Sequence, residues 1–505
     1  MPLPGWLWPV GLGCLCLLGT AQAQEVPSAP RSMALEPRVS VTETFTDNHN
    51  LSSTQAESDA ITRLTAGLGW RAQTGLLRGY LDYALTHVLY ARHSDRNELQ
   101  NALNANLSAD LLDKRLQFVT SAAIARSAIS AFGVQPGGGA DGNANTTETR
   151  TLQIAPTLRG PLGPELRYTA ALGHAVTRSA NTRLGDSSTT NANLHLEPSS
   201  QARLGWTLDA SHLASDFKQG RASQSERLFG GLRLNLDDLD LQLTATGGTE
   251  RTNFISLENT RYNTWGVGAV WTPSPVTRVS AELENRFFGR SHALSIEHRT
   301  PRTIFRLRSA RSLSTSGNQV AGVRGTAFSL LFDQFASLQP DPVLRELLVN
   351  RFLVAQGIDP SRIIDTGFLR SAATLQDLQE FSAAWTGPRN AAVLLLSHSK
   401  TRRVDTLSNA VDDLARVEEV RISNLSLNLS HRLTPLSSLN LLLGVQRSSS
   451  GQVGLSSRQT QADLQFITRL TPDSTASVSL RRAHYTTGLL PYDETALSAT
   501  FGVRF

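Results

Sequence analysis

The sequence predicts an all-β fold: a transmembrane antiparallel up-and-down β-barrel of about 22 strands, with about 18 as the lower bound, and a helical insertion in one long extracellular loop. Three features of the 505-residue chain predict it. From Pro37 to Phe505, apolar and polar residues alternate in segments of about ten residues. The connections alternate too, tight Pro/Gly/Asp turns with longer polar loops. The last segment puts Thr495, Leu497, Ala499, Phe501, Val503 and Phe505 on one face, and Glu494, Ala496, Ser498, Thr500, Gly502 and Arg504 on the other.

The N-terminus reads as a signal peptide over residues 1–23. An apolar stretch from Leu3 to Leu18 precedes the small-residue cleavage site Ala21-Gln22-Ala23. The stretch is too short and too broken by Gly and Pro to span a membrane as a helix. Residues 24–36 follow as a periplasmic segment, and the barrel occupies 37–505. Both cysteines, Cys14 and Cys16, lie in the signal, so the exported chain has no disulfide and no thiolate chemistry. Mean hydropathy of -0.19 and the lack of any later apolar run of about 20 residues exclude a helical membrane protein. They do not exclude a barrel, whose strands hide lipid-facing residues among polar ones. The net charge of +5 is dispersed, with no basic block, which gives nucleic-acid binding little support.

Within the barrel, tight turns are read at Arg159-Gly160-Pro161, Glu197-Pro198-Ser199-Ser200, Asp237-Asp238, Thr272-Pro273-Ser274-Pro275, Thr300-Pro301, Gly387-Pro388, Thr434-Pro435 and Thr471-Pro472-Asp473. Two more fall near Gln73-Thr74-Gly75 and Leu112-Asp113. Loops such as PGGGADGNANTT at 136–147 separate them. About ten turns and eleven loops imply about 22 strands, both termini on the short-turn, periplasmic side. Individual segments carry the pattern: Val279, Ala281, Leu283 and Phe287 alternate with Ser280, Glu282, Glu284 and Arg286. Trp70, Tyr80, Tyr90, Trp206, Trp265, Trp271, Trp385, Tyr485 and Tyr492 lie near segment ends, as a sparse interfacial girdle would.

Residues 313–375 break the alternation. Leu344, Leu347, Leu348, Phe352 and Leu353 share one helical face, with Arg345, Glu346 and Asn350 elsewhere. Asp341 caps this helix and Pro342 suits its first turn. A bare barrel of about 22 strands is very wide, so the apolar face is expected to fold inward as a constriction. An external cap is the alternative.

The chain resembles the outer-membrane β-barrel proteins associated with the PEP-CTERM sorting system and exopolysaccharide gene clusters. The resemblance rests on VSVTETFTDNHNL with Thr46-Asp47-Asn48 and Leu51, on Pro340-Asp341-Pro342 and Arg345, on Gly387-Pro388-Arg389-Asn390, and on the terminal Phe505. It implies an outer-membrane barrel in a Gram-negative bacterium that makes an extracellular polysaccharide, and it supplies no catalytic residues. Phe501, Val503 and Phe505 also resemble the C-terminal signal read by the barrel-assembly machinery. Thr46-Asp47-Asn48 reads better as a strand-to-loop cap than as a ligand site.

No HExxH, P-loop, GxSxG elbow, dinucleotide turn or zinc spacing occurs, so no catalytic, cofactor or metal residues are assigned and the protein is read as a non-enzyme. His292, His298, His431 and His484 are the candidates if a Ser/His pair sits on the outer wall. On the inner phase, Glu282, Glu284, Arg286, Glu297, Arg306 and Arg308 line the lumen; their mixed signs favour cross-strand bracing over a hydrated path for a sugar polymer or small solutes, and a single-sign ring would be needed to argue ion selectivity. The leading functional expectation is a channel or secretion-associated barrel serving exopolysaccharide export. A non-conducting scaffold is the alternative, and a barrel-embedded hydrolase a distant third. Expected partners are outer-membrane lipid, the assembly machinery, and exported polysaccharide or secretion components.

Overall fold

Each strand pairs antiparallel with the next in sequence, and the last pairs with the first, so 22 strands close into a ring. The first eight are β1 (Ser32–Thr46), β2 (Asp59–Gln73), β3 (Leu77–Tyr90), β4 (Glu98–Leu111), β5 (Leu116–Ala128), β6 (Thr146–Leu162), β7 (Leu166–Ser179) and β8 (Ser187–Pro198). Then come β9 (Leu204–Phe217), β10 (Ser223–Leu236), β11 (Leu241–Thr252), β12 (Thr260–Ser274), β13 (Thr277–Arg286), β14 (Gly289–Arg299) and β15 (Thr303–Ser314). The last seven are β16 (Thr374–Thr386), β17 (Asn390–Arg403), β18 (Glu419–Arg432), β19 (Ser437–Ser450), β20 (Ser456–Arg469), β21 (Ser474–Thr487) and β22 (Tyr492–Arg504). This computed structural model describes residues 32–135, 143–180, 182–200, 202–315, 367–405, 407, 411–452, 455–487 and 491–505, with scattered positions between 328 and 353. The signal segment 1–23, residues 24–31, and Pro340, Asp341, Pro342, Leu344, Leu347 and Phe352 of the insertion lie outside the described residues.

The strand count and the alternation of turns with loops match the expectation. β1 starts at Ser32 against β2, but its pairing to β22 covers residues 38–46 against 496–504, so ring closure begins close to Pro37. The seam is reinforced at its long-loop end by the Thr46-Asp47-Asn48 cap. Thr46 Oγ1 donates to Glu494 at 2.9 Å, and the Asn48 side chain donates to the Asp493 carbonyl at 2.8 Å. Asp47 and Thr495 exchange bonds, backbone to backbone at 3.1 Å and amide to carboxylate at 2.7 Å.

A 14-residue strand at ~3.3 Å per residue and ~40° tilt rises roughly 35 Å, more than the ~25 Å apolar band of an outer-membrane barrel. The outward phase carries that band. Val41, Leu443, Leu464, Leu480, Leu497 and Phe501 all project from it and are exposed. Such a surface is stable against hydrocarbon, not water.

Three local readings are corrected. The β6–β7 turn lies at 163–165, where Gly163 has φ +73, so Pro161 pairs with Arg167 inside the ladder. Glycine tolerates that dihedral without strain, and it, rather than proline, places the reversal. Phe287 is not on the lipid face: β13 ends at Arg286, and Phe287 turns into an apolar cluster with Phe217, Phe254 and Ala373 at the long-loop end. The aromatics also divide by type. Trp206, Trp265, Trp271 and Trp385 face out, whereas Tyr80, Tyr90, Tyr485 and Tyr492 are buried inside.

The 315–373 connection folds inward. Phe328, Leu331 and Phe332, then Arg345, Glu346, Leu348, Val349, Asn350 and Leu353, have helical backbone. Phe328, Leu331, Phe335, Val349 and Leu353 pack in one cluster with Tyr80, Ile304, Ala384 and Val393. Tyr80 belongs to β3 and the other wall residues to β15, β16 and β17. Around the ring, β18 to β22 with β1 and β2 separate them on one side, and β4 to β14 on the other. The cluster therefore bridges the lumen. All four wall residues lie within a few positions of short turns, so an insertion entering from the long-loop end reaches the far mouth.

The seam yields a direct test. Thr42 and Thr500 are register partners with their hydroxyls 2.9 Å apart, a spacing that suits a disulfide. Thr42→Cys with Thr500→Cys is expected to oxidise quantitatively in folded protein and shift denatured electrophoretic mobility. Absence of the bond under oxidant would contradict the closed ring.

Candidate functional site

The inner wall follows from period-two alternation. On β13, Leu283 faces out, so Glu282, Glu284 and Arg286 face in, and the registers carry Glu297, Arg306 and Arg308 onto the same face. Four of the six are paired with residues the sequence reading did not single out or with one another. Arg286 grips Glu250 of β11 twice, at 2.6 and 3.2 Å, and Ser225 donates to the same carboxylate at 2.7 Å. Glu250 is fully buried. Glu284 takes Arg227 of β10 at 3.2 Å, and Glu297 takes Arg306 at 3.5 Å. Arg308 stands in register between Ser295 and Glu380.

Glu250 and Arg227 were missed because their partners are one or more strands beyond the neighbouring strand. The Thr246, Gly248, Glu250 phase was visible in the sequence, but the register that brings Arg286 to it was not. Elsewhere the same device recurs. Arg38 reaches across β2 to Asp82 with two bonds, at 2.7 and 2.6 Å. It passes over Gly67, where an added Cβ would stand 2.6 Å from Arg38 Nε.

The plug meets this wall through an ionic contact as well as an apolar one. Arg71 of β2 lies between Glu36 at 3.0 Å and the plug's Glu346 at 3.1 Å. Glu346, read from sequence on the polar side of the helix, is therefore buried, while Leu348 is 37% exposed. The wall arginine supplies the partner that makes burial of the carboxylate tolerable. Tyr80 meets Phe328 edge-on with ring centres 6.1 Å apart. Each apolar side chain moved out of lumen water contributes about 1.5–3 kcal/mol.

Loops are tied to one another at the opposite mouth. Asp412 accepts from the Ser371 amide at 2.7 Å and caps the single helical turn Asp413–Arg416. Asp413 binds the Ala131 amide at 2.7 Å and Ser130 Oγ at 3.0 Å, and burial raises its carboxyl above the ordinary range. Arg370 is fully buried beside Thr374 and Ser314, and desolvation lowers it to about 10. Arg221 joins three connections, reaching Asp405 at 3.0 Å, the Asn253 carbonyl at 2.7 Å and the Ser256 carbonyl at 3.1 Å.

One titratable cluster was not anticipated. His49, Asp59 and His93 bring ligand-type atoms within 4.8 Å of one another. His93 sits between two carboxylates, Asp59 at 2.8 Å and Glu57 at 2.9 Å. Its bond to Asp59 raises its pKa above the ordinary histidine value. This is a hydrogen-bonded clamp between the β1–β2 and β3–β4 loops.

The four candidate histidines face out by register. His292 Nε2 meets Ser309 Oγ at 3.0 Å, His298 meets Thr277 at 2.8 Å, and His431 meets Asn390 at 2.6 Å. His484 lies between Asp493 at 3.1 Å and Thr486 at 3.0 Å. That is relay geometry ending on a secondary alcohol, which its methyl group hinders as a nucleophile.

No family model matches the chain, and no curated protein matches it in sequence. Among solved structures it is similar to the FrpB iron transporter of Neisseria meningitidis, at 11% identity and a TM-score of 0.46, over 93% of this chain and 82% of that one. It is also similar to the outer membrane protein OpdK of Pseudomonas aeruginosa, at 10% identity and 0.32, over 94% and 99%. A third is the alcaligin outer membrane receptor FauA of Bordetella pertussis, at 13% and 0.36, over 92% and 76%. Likenesses this distant carry nothing about function.

Glu250→Ala leaves the largely buried Arg286 without its counter-ion and is expected to cost about 3–5 kcal/mol. The readout is the temperature at which the heat-modifiable electrophoretic form is lost. Adding Arg286→Ala should recover part of the loss. An unchanged melting temperature in the single variant would show that the pair braces nothing.

Proposed function

We propose that the protein is an outer-membrane transport barrel, held shut by its own β15–β16 insertion, that opens to pass a polar exported product of the carbohydrate class. One observation carries this reading: the apolar cluster joins opposite walls near the short-turn mouth, and Arg71 holds it there through Glu346. A scaffold needs no obstruction in its lumen, whereas a conduit of this width must prevent leakage. The mixed-sign inner wall supports an uncharged or weakly charged hydrophilic cargo rather than a selected ion. The resemblance to exopolysaccharide-linked barrels supports polysaccharide as that cargo. The lipid-matched exterior supports placement in the outer membrane, with lipid and the assembly machinery as partners, and on this reading the protein is not an enzyme.

The second reading, a non-conducting anchor for surface polysaccharide or a partner, draws on the tied loops. Asp413 and Arg221 tie long-side loops together without using the insertion, and Asp412 ties them to Ser371 at the insertion's return.

Locking the plug separates the two. Tyr80→Cys and Phe328→Cys, joined in cells by a reductant-cleavable bis-maleimide, should stop delivery of polymer to the surface, and reduction should restore it. Each single cysteine should leave delivery of polymer undiminished. Undiminished surface polymer with the plug cross-linked would overturn the transport reading in favour of the anchor.

A further inference from the structure

The outer wall carries a second pattern that transport through the lumen does not use. Near the long-loop end, three pairs of arginines stand directly opposite one another on adjacent strands: Arg150 and Arg178, Arg251 and Arg261, and Arg447 and Arg458. All six are exposed, and their phase matches that of outward Leu152, Trp265 and Leu443. Like charges directly opposite on a sheet face repel and destabilise the pairing. A wall that repeats the arrangement on β6–β7, β11–β12 and β19–β20 needs something anionic between the pairs.

Two pairs have local relief. Arg150 bonds Glu148 at 2.8 Å, and Arg178 bonds the Thr177 carbonyl at 3.0 Å. Arg251 has Glu226 as its register neighbour on the other side. Arg447 and Arg458 have none: among the described residues, neither has an acidic partner within salt-bridge distance. Their flanking register positions are hydroxyls, Ser423 beside Arg447 and Thr486 beside Arg458. Two facing guanidinium forks are the chemistry of a phosphate site, and the flanking hydroxyls are bonded to ring nitrogens of His398 at 2.9 Å and His484 at 3.0 Å.

The height of this pair selects the source of the phosphate. Two residues further along the same phase are Val445 and Thr460, and beyond them the lipid-facing Leu443 and Ala462. The arginines thus stand two rungs, roughly 13 Å along the strand, above that lipid-facing pair, where headgroups lie. At the opposite end the outward phase carries Trp206, Trp271 and Trp385 instead. We infer that Arg447 and Arg458 form a binding site for the phosphorylated headgroup of a lipid in the leaflet on the long-loop side, with Arg251 and Arg261 a second such position. This rests on the membrane-spanning fold and is independent of whether the lumen conducts.

The test is native mass spectrometry of the full barrel released from neutral detergent after incubation with bis-phosphorylated lipid A, or with its enzymatically dephosphorylated form. Wild type should retain the phosphorylated lipid and not the other. Arg447→Gln with Arg458→Gln should retain at least one molecule fewer, while Arg482→Gln, whose partner is Asp493, should match wild type. Heat-modifiable mobility confirms that each variant is folded. Equal retention of the two lipids, or an unchanged count in the folded double variant, would overturn the assignment. Displacement of the lipid by inorganic phosphate at equal concentration would overturn the lipid as the source.

Discussion

In hydrocarbon every backbone amide and carbonyl must be paired within the protein, because no water is there to take its place. An up-and-down sheet meets that demand everywhere except at its two edges, and here the edges are β1 and β22. Their nine-residue register, from Arg38 with Arg504 to Thr46 with Ala496, turns an open sheet into a wall without edges. Side chains complete what the ladder begins. Thr42 with Thr500 and Thr44 with Ser498 bond across the seam, and Thr46, Asp47 and Asn48 fasten its long-loop end to Asp493, Glu494 and Thr495. Glu494 is in turn held by Arg481 at 2.9 Å, so closure is tied to the next hairpin.

Closing so many strands creates a second demand. The ring is too wide for wall side chains to fill, and water in it would connect the two sides. The chain answers with residues of its own, inserted between two consecutive strands and packed against the wall near the opposite mouth. That packing combines burial of Phe328, Leu331, Phe335, Val349 and Leu353 with one ionic contact at Arg71. The combination matters for function. Apolar contact with a wet lumen favours closure whenever the plug is seated, whereas an ionic contact can be exchanged for another charge and released. Arg71 already divides its guanidinium between Glu36 and Glu346, so the wall keeps one partner when the plug leaves.

Much of this was legible in the residues. Strand count, the alternation of turns with loops, the inner phase of β13 to β15 and the inward fold of the insertion all follow from period two and from the need to bury an apolar helix face. The failures have physical reasons. Gly163 rather than Pro161 makes the β6–β7 turn, because a dihedral of +73 is a backbone property that composition reports only loosely. Phe287 fits the outward phase by counting, yet the strand stops one residue earlier and the ring joins a loop core. Tyrosine and tryptophan near segment ends look alike in sequence, but strand phase sends Trp206, Trp265, Trp271 and Trp385 to lipid and Tyr80, Tyr90, Tyr485 and Tyr492 to the lumen. Glu346 looked solvent-facing until a wall arginine came to meet it. The pairing of Arg286 with Glu250 needed a register that no single segment contains.

The account stands on the insertion as the obstruction of an otherwise open cylinder, and single-channel recording in planar bilayers measures that directly. Intact protein should insert and remain silent. The same barrel with residues 316–366 replaced by a short Gly-Ser linker should show large, long-lived, weakly selective openings. Equal conductance before and after the replacement, whether open in both or silent in both, would contradict the claim that this segment closes the lumen.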